Sequence, residues 1–243
     1  MSILYIVATP IGNLEDISLR ALRILGEVDF ILCEDTRVTG KLLMHYKIKT
    51  PVLSYHQHSS ENKVKQIIDL LSGGKNLALV SDAGTPGISD PGGKLIQAVL
   101  EKFGVGAIHE SPVRIESVPG PSAITAALSI SGIPTDKFVF MGFPPHKKGR
   151  QTFIRKIVAS EWPVVVYESK HRIIKFLDEL ELATRNSQLA TQEKKINLTS
   201  VVVVRELSKM HETVYRGGLA GIMEKIKADK NDQKGEFVVI VGK

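Results

Sequence analysis

Residue types able to do chemistry are densest in one stretch, Ser81-Asp82-Ala83-Gly84-Thr85-Pro86-Gly87-Ile88-Ser89-Asp90-Pro91-Gly92-Gly93, which follows the apolar run Leu77–Val80. Four glycines fall within ten residues, 84 to 93. Glycine adopts positive φ freely and lets backbone amides approach a ligand closely. Ligands of open α/β sheets bind at the carboxyl ends of strands, so a loop in this place suits a cofactor, with Asp82, Ala83 and Gly84 at its centre. A plain Gly/Pro turn is the other reading, although it leaves the aspartates and hydroxyls without a purpose. Two more glycine–proline loops follow apolar runs, Ala8-Thr9-Pro10-Ile11-Gly12-Asn13-Leu14 and Val118-Pro119-Gly120-Pro121-Ser122-Ala123. The second leads into a helical pattern whose first amides can hold an anion. Neither loop matches G-x-G-x-x-G or G-x-x-x-x-G-K-[ST], which argues against a dinucleotide fold or a nucleoside triphosphatase.

Three polar groupings stand near other strand ends. Cys33-Glu34-Asp35-Thr36-Arg37 sets two carboxylates beside an arginine; it suits a general base with a phosphate clamp, or equally a helix N-cap made by Asp35 or Thr36. His56 and His58 alternate after a short strand pattern. No third ligand with convincing spacing accompanies them, so no metal site is expected, and hydrogen bonding or stacking on a nucleotide is the alternative to an ordinary polar surface. His146-Lys147-Lys148-Gly149-Arg150 and Lys170-His171-Arg172 are compact basic runs. Each reads as a solvated face or as part of a track for phosphates.

The elements that must carry these groups alternate between short β-branched runs and helix-period segments, the pattern of α/β layering around a largely parallel sheet. Strands are expected at residues 3–8, 29–33, 52–55 and 77–81, and helices at 18–25, 39–46, 61–71 and 93–102. In the first helix Ser18 is the expected N-cap, and Leu19, Leu22 and Leu25 should share a buried face. A second set comprises a helix at 122–131, strands at 138–143 and 163–167, a helix at 171–180, a strand at 201–205, a helix at 219–227 and a last strand at 237–241. Residues 183–198 read as a polar loop or a loosely packed helix. Prolines and glycines between 119 and 134 interrupt both periodicities, which divides the chain into lobes 1–118 and 119–243. The fold class is therefore α/β, two α/β lobes with a cofactor cleft between them.

Composition sets the remaining bounds. With 243 residues, 43% of them hydrophobic, the chain has enough apolar surface for a substantial core. The net charge of +6 makes a polyanionic partner plausible. Cys33 is the only cysteine, so an intramolecular disulfide and a thiolate metal cluster are both excluded, and a cytoplasmic, reducing setting fits. The first residues lack a basic leader, and no apolar run nears the roughly 20 residues of a membrane helix.

The loops above, together with Arg205-Glu206-Leu207-Ser208-Lys209-Met210-His211-Glu212 and Lys234-Gly235-Glu236-Phe237-Val238, resemble the small-subunit ribosomal RNA methyltransferase I family, the RNA-acting branch of the tetrapyrrole methylases. The resemblance runs from Ile3 to Gly242, with five motifs in the family's order. It implies a two-lobed α/β fold, S-adenosylmethionine as cofactor in the cleft, a homodimer, and 2′-O-methylation of a cytidine in the decoding region of small-subunit ribosomal RNA, free or in the 30S subunit. By motif, Pro10, Thr85, Ile88, Ser122, Ala123 and Met141 resemble cofactor-contacting positions. The tetrapyrrole branch has Asp of a Gly-Asp-Pro where Thr85 stands. Two departures are that the stretch 104–118 is longer than the family's usual connection, and that the chain stops at Lys243 where many members continue into a small helical segment. Methyl transfer to a ribose hydroxyl requires a proton acceptor, for which Asp35, Asp82 and Lys170 are the candidates, with Arg37 holding the adjacent phosphate. A tetrapyrrole methyltransferase and a non-catalytic RNA-binding ribosome assembly factor are the competing expectations.

Overall fold

The computed structural model describes residues 1–104, 112–190 and 200–242, without the side chains of 187–190. The chain divides into two compact units, Met1–Ser122 and Ala123–Lys243, and each is built on one five-stranded sheet.

In the first unit the strands are β1 (Ser2–Val7), β2 (Phe30–Cys33), β3 (Val52–Ser54), β4 (Leu77–Val80) and β5 (Val113–Val118), in the order β3-β2-β4-β1-β5. Every neighbouring pair is parallel. A parallel sheet is covered on both faces, which is why its strands read as continuous apolar runs. The covering helices are α1 (Leu19–Glu27), α2 (Thr36–His45), α3 (Glu61–Ser72) and α4 (Gly92–Phe103). Strand alternation sends Val7, Ile31, Cys33, Ala78 and Val80 toward α1 and α2. Leu4, Ile6, Leu32, Leu77 and Leu79 face α3 and α4.

Ser18 caps α1, its hydroxyl accepting from the Ala21 amide. The expected stripe holds at Leu25, which is buried, and in part at Leu22, but Leu19 is 86% exposed, and Ala21 and Ile24 complete the buried face. A spacing of three drifts around a 3.6-residue helix, whereas the 21, 24, 25, 28 pattern stays on one side. Strand β5 escaped the sequence reading, and residues 105–111 of the stretch 104–118 lie outside the described residues.

The second unit contains α5 (Ala123–Ser131), β6 (Val139–Phe140), α6 (Arg150–Ala159), β7 (Val164–Ser169), α7 (Ile173–Ala190), β8 (Val201–Arg205), β9 (Thr213–Gly217), α8 (Leu219–Ala228) and β10 (Glu236–Val241). Its sheet order is β6-β7-β10-β8-β9. Only β6 and β7 pair in parallel; β10 is antiparallel to β7 and β8, and β8 to β9. The largely parallel expectation is corrected here, because the last strand inserts at the centre and apolar periodicity carries no information on direction. Alternate strand residues again serve two cores, one against α6, α7 and α8 and one against α5. Of the two readings of 183–198, the helical one holds for 183–190, the end of α7, and 191–199 lie outside the described residues. The strand expected at 138–143 shortens to Val139–Phe140, and α6 and β9 were not anticipated.

Candidate active site

Because all five strands of the first unit run parallel, their carboxyl ends share one edge, and β4, β1 and β5 are neighbours there. The three glycine–proline loops therefore lie side by side and are tied together. Thr9 and Gly84 exchange two backbone hydrogen bonds of 2.9 and 3.0 Å. The Thr9 hydroxyl donates to the Ser81 carbonyl at 3.1 Å and the Thr85 hydroxyl to the Pro121 carbonyl at 3.2 Å. Gly84 sits at φ +82°, a conformation that β-carbons disfavour. A β-carbon on Gly92 would lie 2.9 Å from both the Gly87 nitrogen and Asp90 Oδ1. That carboxylate oxygen accepts from the Gly87 and Gly92 amides at 2.7 Å each, so Asp90 is the pin that shapes the glycine-rich loop.

Of the residues expected to touch a cofactor, Pro10, Asp82, Ala83, Gly84, Thr85, Ile88 and Ser122 all fall on these three loops. Gly84 is buried, Thr85 is half-buried, and Asp82, Ala83 and the apolar Ile88 are exposed. Ala123 and Met141 belong to the second unit, Ala123 opening α5 and Met141 following β6 with its amide donating to the Val165 carbonyl at 3.0 Å.

Next to the loops, at the ends of β2, β3 and β4, lies a pocket of about 500 Å³ whose lining includes Glu34, Asp35, Arg37, His56, His58 and Asp82. Its carboxylates are not equivalent. Asp35 caps α2 by accepting from the Arg37 amide at 2.8 Å, and the Arg37 guanidinium grips the same carboxylate at 2.7 to 3.2 Å. These hydrogen bonds hold Asp35 down to about 2, so it is ionised yet weakly basic. The N-cap reading of Asp35 holds, and the cap starts α2 at Thr36 rather than 39. Asp82 Oδ1 accepts the Asp35 amide at 3.1 Å. Glu34 makes no hydrogen bond or ion pair among the described residues, and burial with the nearby charges of Asp82 and Asp90 pushes it upward while His56 opposes. The sequence reading included Glu34 in the 33–37 run but not among the named proton acceptors; its signal was the β2 alternation, which puts it on the face of Leu32 rather than Cys33. The His56 ring accepts the His58 amide at Nδ1, 3.2 Å away. Among the described residues no cluster of three or more His, Cys, Asp or Glu is arranged to hold a metal.

In the second unit the basic runs separate into two kinds. Arg150 is 4% exposed. It pairs with Glu179 at 2.6 Å and Glu168 at 3.7 Å and donates to the Pro145 carbonyl at 3.2 Å. Arg172 reaches Glu168 and the Pro144 carbonyl, both at 3.0 Å. These arginines fasten the 144–149 loop to β7 and α7, so neither is the solvated phosphate contact that the runs suggested. Lys147, Lys148 and the candidate base Lys170 are exposed.

The family model described as Tetrapyrrole (Corrin/Porphyrin) Methylases matches residues 3–222. Ribosomal RNA small subunit methyltransferase I of Synechocystis sp. is 42% identical over 242 residues, 99% of this chain and 79% of that protein. The protein of that name from Hydrogenobaculum sp. is also 42% identical, over 99% of this chain and 95% of its own length. Among solved structures, a cobalt precorrin-4 methyltransferase of cobalamin biosynthesis aligns with a TM-score of 0.65 at 19% identity, covering 99% of this chain and 94% of that one. That likeness is one of fold. No helix of the described residues is long and apolar enough to cross a membrane.

Proposed function

The chain belongs to the tetrapyrrole methylase family, and from that premise we propose that it is an S-adenosylmethionine-dependent methyltransferase acting on the ribose 2′-hydroxyl of a cytidine in the decoding region of small-subunit ribosomal RNA. The observation that carries the reading is the union of three interlocked glycine–proline loops with a polar pocket at adjoining strand ends, in a chain 42% identical to proteins named for small-subunit ribosomal RNA methylation.

The loops fit this cofactor by charge. Residues 8–14, 81–93 and 118–123 contain no lysine or arginine, and Asp82 is exposed among them. Such a cradle repels phosphates and suits a cationic nucleoside. Backbone groups around Ala83 to Thr85, apolar Ile88, Pro10 and Ser122 would hold it. When bound, S-adenosylmethionine supplies a methyl on a positively charged sulfur, which leaves as a neutral thioether once an oxygen bonds the methyl carbon and the C–S electron pair stays on sulfur. The protein's own residues orient the hydroxyl, exclude water and take its proton. No metal is needed for this, and the working assembly is a homodimer in the cytoplasm, the state its family resemblance implies.

Methylation of a 2′-hydroxyl removes the group that attacks the adjacent phosphate, so alkaline hydrolysis of treated ribosomal RNA, free or in the 30S subunit, should skip one linkage. An unbroken ladder with methyl incorporated would mean a base methyl, and no incorporation into RNA would favour a tetrapyrrole substrate or a binding role. Exposed Lys147 and Lys148 are the phosphate contacts expected to help hold the RNA. Replacing both with alanine should flatten the salt dependence of RNA binding by up to roughly two charges' worth of slope with cofactor affinity unchanged, as read from binding titrations at several salt concentrations.

A further inference from the structure

Ribose methylation leaves one question of chemistry to the pocket: which group receives the hydroxyl proton. Resting on that reading, we propose that Glu34 is the proton acceptor. Its competitors in the first unit are each committed elsewhere. Asp35 is held by three donors of Arg37 and caps α2. Asp90 is engaged through Oδ1 by the amides of Gly87 and Gly92. Asp82 Oδ1 already accepts the Asp35 amide. Nδ1 of His56 already accepts the His58 amide.

Glu34 alone among these lines the pocket of about 500 Å³ with both carboxylate oxygens unbonded among the described residues. It stands at the first position after β2, and β2 is the neighbour of β4, whose following loop belongs to the cofactor cradle. The groups facing it are Asp82 and Asp90 after β4, Tyr55, His56 and His58 after β3, and Asp35 and Arg37 at the start of α2. The negative ones favour a proton on Glu34 and His56 opposes them, while the Arg37 charge is spent on Asp35. Desolvation of Glu34, although the residue is exposed, acts in the same direction as Asp82 and Asp90. A carboxylate tuned upward in this way is the better proton acceptor near neutral pH.

In the step itself the ribose O–H bond breaks, the oxygen keeps the electron pair with which it bonds the methyl carbon, and the proton passes to a Glu34 carboxylate oxygen. Glu34 becomes a neutral acid and returns the proton to solvent through the open pocket. The carboxylate must be ionised at the start, so activity is lost as pH falls through the Glu34 pKa. That acid limb should lie above the usual carboxylate range.

Glu34→Gln keeps the size and removes the basicity. Single-turnover methyl transfer should fall by about 100-fold or more, the usual contribution of a general base. Cofactor affinity by calorimetry should stay unchanged. Glu34→Asp should retain the acid limb at a reduced rate, whereas Glu34→Gln should lose the limb. Without cofactor, carbon NMR of glutamate-labelled protein should show one carboxylate titrating above the rest, missing in Glu34→Gln. Transfer by Glu34→Gln at near wild-type rate, an acid limb that survives in it, or an equal loss of cofactor affinity would each overturn the assignment. An unbroken alkaline ladder from the wild-type reaction is a separate outcome, and it would sink the ribose reading itself.

Discussion

Replacing Arg150 with alanine should destabilise the second unit by about 3–5 kcal/mol, the cost of removing one partner from a buried ion pair. The side chains of Arg150 and Glu168 are 5% and 0% exposed, and Glu179 is 15%. Without Arg150, Glu168 keeps, among the described residues, Arg172 and the Ser169 amide, Glu179 loses its 2.6 Å partner, and the Pro145 carbonyl loses a donor. The network is already lean, since Arg150 Nη2 and Glu168 Oε2 carry no hydrogen bond among the described residues. Arg150→Lys should recover only part of the loss, because an ammonium is a point donor that cannot serve Glu179, Glu168 and Pro145 as the planar guanidinium does. Denaturant unfolding of the full chain checks this. An Arg150→Ala midpoint within about 1 kcal/mol of wild type, the scale of exposed pairs, would show that the pairing is solvated rather than buried. By contrast Lys147→Ala and Lys148→Ala, in the same basic run, should leave stability unchanged.

That contrast within five residues shows what a sequence can and cannot convey. The basic run was legible as charge, yet nothing local distinguished Arg150 from its neighbours. The distinction comes from Glu168 on β7 and Glu179 on α7, far along the chain. Alternation of apolar runs with helical periods conveyed both sets of α/β elements, because burial on two faces forces continuous apolar strands. It could not convey the central, antiparallel insertion of β10, since strand direction leaves no trace in periodicity. Strand β5 was missed because Arg114 and Glu116 interrupt it. Both charges pair at the surface, Arg114 with Glu116 and Glu116 with Arg20. At the pocket, the run Glu34 to Arg37 was recognised as a set, but its members differ only through their partners. Asp35 is committed by a local clamp and Glu34 is left free by it.

Gly84→Val should leave the fold standing and reduce S-adenosylmethionine affinity by about 100-fold or more, a loss equivalent to about 2.7 kcal/mol or more. Gly84 lies at φ +82°, where a β-branched residue is strained. Its amide and carbonyl form the two hydrogen bonds to Thr9 that join the glycine-rich loop to the loop after β1. A first carbon at this position would meet Ile11 Cγ2 at 3.5 Å and the Pro121 carbonyl oxygen at 3.7 Å, which is ordinary contact. Alanine therefore suffers only the backbone strain, about 1–2 kcal/mol, and should lose roughly tenfold in affinity. The two further methyls of valine have no such room. Either they press on Ile11 and the Pro121 loop, or residue 84 leaves the left-handed region and gives up both bonds to Thr9. In each case the three loops part at the place where the cofactor's backbone contacts are proposed. The sheet beneath, packed through Leu79, Val80 and Val7, does not depend on those contacts, so far-ultraviolet circular dichroism should be unchanged. Calorimetric titration of both variants without added metal is the measurement, with affinity expected to fall from wild type to alanine to valine. A folded Gly84→Val protein that binds the cofactor as wild type does would place the cofactor away from these loops.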